Sequence, residues 1–225
     1  YLGMYADYVM NHSNREWLRA RLPGMRDTLS GFELYERPDG ILEKLPGWSF
    51  MDWVTHRDWA GGWAPGSRNG GANAEMNLQG AARVEDAFGN RHLAAHWREK
   101  AERLKPAIVK AFFDEGRGLF ASDAARKSFA EHAQCLALLT DVFEGERARA
   151  LFERLIPEKN LHRTTVYFSY YLFETYFKFG RADLFLKVLR QVVHCAGEHE
   201  VLPDQQTKLV TCIIEEVIGI VAAAP

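Results

Sequence analysis

No apolar run in these 225 residues approaches the roughly 20 that a helix needs to cross a bilayer core, so no membrane span is expected. Cysteine is scarce: Cys135, Cys195 and Cys212 are all there is, and no two stand in a CxxC spacing. That excludes a disulfide scaffold and a thiolate zinc site. It fits buried, reduced thiols and a cytoplasmic setting. Excess charge of one sign is also missing. The formal net charge is -2, which leaves no electrostatic case for a nucleic-acid partner. GxGxxG, the phosphate-binding loop and the serine elbow do not occur. Glu131-His132 lacks the second histidine of HExxH, and His92 and His96, an i, i+4 pair, have no third ligand nearby. Neither a metal nor a cofactor is expected.

What is present is an ordinary globular composition, 47% hydrophobic and 26% charged, with a length that suits one domain, 1–225. Helical periodicity dominates. Leu2, Tyr5, Val9 and Met10 form a stripe over 1–11 with no cap before it. No signal peptide is visible and no Met opens the chain, so it is expected to start inside an element of a longer protein. Asn14 caps a helix expected over 15–34, with Trp17, Leu18, Leu22, Met25, Leu29 and Phe32 on one side. Further helices are predicted over 72–88, closed by Gly89, and over 90–113, broken or bent near Pro106. Asp114 to Phe120 reads as a turn with a short strand. Helices follow over 127–141, 146–155, 167–180 and 182–195.

Short turns alternate with long connections, the rhythm of a toroid of helical hairpins whose long loops gather at one end. Residues 199–225 form an atypical tail with a β-branched run, Ile213, Ile214, Val217, Ile218, Ile220 and Val221; helix, strand and irregular end all fit it.

The segment Leu45 to Asn77 stands apart. It holds Trp48, Trp53, Trp59 and Trp63, four of the six tryptophans, with Asp52 and Asp58 between them and glycines after. Indoles beside carboxylates on a Gly-rich loop suit a carbohydrate rim, since sugar C–H faces stack on indoles and hydroxyls need fixed polar partners.

Four segments, LPGWSFMDWV, NGGANAEMNLQGAARVEDAFG, GLFASDAARKSFAEHAQCLALL and TTVYFSYYLFETYFKFGRADLFLKVLR, resemble successive parts of the α-L-rhamnosidase-type glycoside hydrolases. The resemblance runs in order from Tyr1 to about Arg190. It implies an all-α fold, an (α/α)6 barrel of helical hairpins, of which this chain would supply about four, incomplete against the full barrel. It implies inverting hydrolysis of terminal α-L-rhamnosides in the complete protein, and a rhamnose-like saccharide as partner. Two departures stand out. The family's acidic segment with the general acid precedes the part that resembles Tyr1–Asn11. The His-Ala-Trp motif expected after 182–195 is replaced by HCAGEHEVLPDQQTK. The chain is therefore expected to lack the acid, with Glu75 and Glu198 as the weak carboxylate candidates. A second copy or a partner chain would cover the open side of an incomplete barrel.

Substrate contacts are expected from Asp52, Trp53, Trp59, Trp63, His132 and Tyr167. Each has a plainer reading. Asp52 caps the following segment and Trp53 anchors a core; Trp59 and Trp63 pack the loop on itself. Asn73 is expected to be a helix N-cap. Ser128 to Glu131 fits a capping box, which makes Glu131 structural. The aromatic stripe from Tyr167 to Phe177 is expected to be buried, with Tyr167, near its N-terminal end, free to hydrogen-bond substrate. The alternatives at the level of function are a non-catalytic carbohydrate-binding module of helical hairpins and another six-hairpin glycosidase.

Overall fold

A computed structural model describes residues 2–42, 52, 71–165 and 168–198, with the side chains of 71–75 and 191–198 excepted. The Trp-rich stretch apart from Asp52, Tyr167 and the tail 199–225 lie outside the described residues. Residues 1–175 form one compact unit and 176–225 another.

The described structure is all-α but for one two-stranded ribbon. In chain order it contains α1 (Leu2–Asn11), α2 (Arg15–Arg19), α3 (Leu22–Glu33), α4 (Gly71–Ala87), α5 (Arg91–Phe112), β1 (Phe113–Asp114), β2 (Leu119–Phe120), α6 (Glu131–Leu139), α7 (Gly145–Leu155), α8 (Ser169–Lys178) and α9 (Ala182–Glu198). Two helical hairpins are plain in the first unit. α4 packs on α5 across the turn at Gly89, and α6 packs on α7. α4 also meets α1 and α6, so it lies at the centre of the unit.

Local chemistry explains the boundaries. The Asn14 side chain accepts from Trp17 N–H at 3.1 Å, the expected cap of α2. The single helix expected over 15–34 is instead two. Pro23 has no N–H to donate to the carbonyl one turn back, so it is tolerated only in a first turn, and it stands at the start of α3. Leu18, Leu22, Met25 and Leu29 are buried, while Trp17 and Phe32 stay partly exposed. The Arg21 guanidinium lies over the Trp17 ring at 3.7 Å. α4 begins at Gly71, which puts Asn73 within the helix rather than at its cap. Gly89, at φ +77, closes α4 in the left-handed conformation that glycine adopts without a Cβ penalty. α5 runs unbroken through Pro106.

β1 and β2 pair antiparallel, Phe113 opposite Phe120. Phe113, Phe120 and Phe143 make a ring cluster with centroids 4.8–5.2 Å apart. The fully buried Gln134 substitutes for a strand at this edge. Its Oε1 accepts from Phe120 N–H at 2.8 Å, and its Nε2 donates to the Phe120 and Ala130 carbonyls at 2.7 and 3.0 Å.

The helix expected from residue 127 starts only at Glu131. Phe129 bridges Ala121, and Ala130 bridges His162 in parallel, so the residues before α6 are extended. Ser128 therefore cannot cap α6, and the expected capping box does not form; Ala130 is the cap residue, without a side-chain bond. Cys135 is fully buried beside Leu136 and Leu138, and burial pushes its thiol far up, which fits an inert core residue.

Around α8 the aromatic stripe is mixed: Phe168, just before it, and Leu172 and Phe173 within it are buried, whereas Tyr170 is exposed. In the second unit, Gly180 at φ +68 ends α8, with Arg181 N–H bonding the Tyr176 carbonyl at 2.8 Å. Phe177 and Phe185 meet at 5.3 Å.

One charge pair gives a pH prediction. Burial raises the Glu174 carboxyl above its ordinary value of 4.5, and the Asp7 charge raises it further. Burial also raises Asp7, opposed by Arg83. The folded state thus holds these protons more tightly than the unfolded chain does. Their contribution to stability is present below the unfolded values and is lost as pH rises through the folded ones. Glu174→Gln is expected to gain Tm over wild type as pH moves from acidic toward neutral. A difference that stays constant with pH would contradict this.

Candidate functional site

Of the residues expected to touch substrate, Asp52 and His132 are the described pair, and they meet. His132 Nε2 and Asp52 Oδ2 are 2.6 Å apart across 80 positions of sequence, and both side chains are almost wholly buried. His132 is the second residue of α6; its ring lies 4.4 Å from that of Phe168. Asp52 Oδ2 also accepts from Thr165 N–H at 2.9 Å, and Oδ1 accepts from the Thr165 hydroxyl. The bond at Nε2 leaves Nδ1 of His132 as the ring's other polar atom. It is buried and has no hydrogen-bond partner among the described residues.

Beside this cluster lies a second. Glu131, 3% exposed, takes Arg163 Nη1 at 2.5 Å on Oε1. Its Oε2 accepts from Thr164 N–H at 2.8 Å and from the Thr164 hydroxyl at 3.3 Å. Arg163 Nη2 donates to the Glu158 carbonyl at 3.0 Å. Backbone bonds align the two chains: His162 N–H to the Phe129 carbonyl and Glu131 N–H to the His162 carbonyl, both 3.0 Å. The N-terminal end of α6 is thereby fastened to the extended segment 161–165.

The carboxylates of this place are committed to holding protein groups together. Two buried carboxylates are saturated with N–H and O–H donors, which keeps a charge in an apolar setting only because each oxygen is hydrogen-bonded. No cluster of three potential metal ligands occurs among the described residues. No described helix is long and apolar enough to cross a membrane.

Trp53, Trp59, Trp63 and Tyr167 lie outside the described residues. Glu75 lies in α4 near its start and Glu198 ends α9; their side chains also fall outside. Sequence reasoning missed Arg163, Thr164 and Thr165. Their partners stand 32, 33 and 113 positions away, and no local pattern marks a threonine that serves a distant carboxylate.

Comparison with known proteins gives the fold a family. No curated protein sequence matches the chain. The crystal structure of a GH78 family rhamnosidase of Bacillus sp. GL1 is similar at a TM-score of 0.70 and 20% identity, over 83% of this chain and 20% of that one. A rhamnosidase from Klebsiella oxytoca with rhamnose bound is similar at a TM-score of 0.69 and 19% identity, over 84% of this chain and 36% of that one. The chain thus spans about a fifth to about a third of the length of these relatives. At such identities the likeness is one of fold, and it agrees with the helical-hairpin architecture described above. The family model for the bacterial alpha-L-rhamnosidase 6 hairpin glycosidase domain matches residues 4–195, and to that family the chain belongs.

Proposed function

We propose that this chain supplies the sugar-binding floor of an inverting α-L-rhamnosidase, whose complete protein hydrolyses terminal α-L-rhamnosides. The observation that carries the reading is the family match over residues 4–195. The Klebsiella oxytoca relative, with rhamnose bound, supports a saccharide of that class. Rhamnose has a methyl where glucose has a hydroxymethyl, so indole walls from Trp53, Trp59 and Trp63 suit its apolar edge. In this reading Tyr167 hydrogen-bonds a sugar hydroxyl and His132, bonded to Asp52, belongs to the same floor.

Inversion requires one carboxyl as acid and another, roughly 6.5–9.5 Å away, to activate water. In this reading the acid belongs to a part of the complete protein outside these residues, and binding and hydrolysis are separable. Release of p-nitrophenol from p-nitrophenyl α-L-rhamnoside tests the division. The chain by itself is expected to bind L-rhamnose and to release no p-nitrophenol above the buffer rate. Turnover that Glu75→Gln or Glu198→Gln abolishes would place a reacting carboxylate within this chain and contradict the division.

A further inference from the structure

We draw no further inference here: the strongest candidate, the buried side-chain cluster at the start of α6 in which His132 Nδ1 has no hydrogen-bond partner among the described residues, belongs to the site already described, and nothing in the structure shows what would reach that nitrogen.

Discussion

Arg26→Met is expected to destabilise the first unit by about 3 kcal/mol, the low end of the range for breaking a buried ion pair. Glu85 is fully buried on α4, and Arg26 on α3 reaches it with both Nε and Nη2 at 2.8 Å. Removing the guanidinium leaves a buried carboxylate with the Asn90 amide, at 2.7 Å, as its remaining described donor. That donor, and the partial exposure of Arg26, keep the loss from being larger. Urea unfolding followed by circular dichroism reads it as a fall in midpoint at constant m-value. The Arg26→Met/Glu85→Met double variant should recover most of the loss, because an apolar pair needs no compensating charge. A single variant within about 0.5 kcal/mol of wild type would mean that the pair is solvated rather than buried.

Asp52→Ala is expected to cost more, about 3–5 kcal/mol, and to abolish the response to sugar. The substitution strands three groups together: the buried His132 Nε2 and the half-buried Thr165 N–H and hydroxyl. Each orphaned donor costs about 1–3 kcal/mol, and the terms are partly shared because all three face one carboxylate. Amide hydrogen exchange locates the damage. Thr165 and the first turn of α8 should exchange faster, while α5 keeps its protection. Uniform acceleration across α4 and α5 would instead indicate global loosening, and an unchanged Thr165 amide would contradict the role given to Asp52.

These two effects show what kind of information the sequence carries about the fold. Asn14, Gly89 and Gly180 were legible because a cap or a left-handed turn involves one residue and the backbone a few positions away. The break between α2 and α3 was misread because the apolar spacing from Trp17 to Phe32 continues through Pro23 as if one helix were intact. Ser128 and Glu131 have the spacing of a capping box, yet Glu131 is committed to Arg163 and Thr164, and the residues before it are drawn into extended pairing. A local signature loses when a distant partner offers a charge-assisted bond. The same holds at the site. Asp52 and His132 each stood out from their neighbours, but their meeting across 80 positions is a property of the packed helices. Thr165 gave no sign of its role, since a threonine that ties a carboxylate reads like any other.

The most direct measurement is a titration of the wild-type chain with L-rhamnose, followed by intrinsic tryptophan fluorescence, with D-glucose as the comparison. Four of the six tryptophans lie between residues 48 and 63, so occupancy of a floor built from them must change the emission. The expected result is a saturable change with L-rhamnose and a weaker one with D-glucose. Emission that stays flat with every sugar, from a chain that circular dichroism shows to be helical and cooperatively folded, would contradict the account.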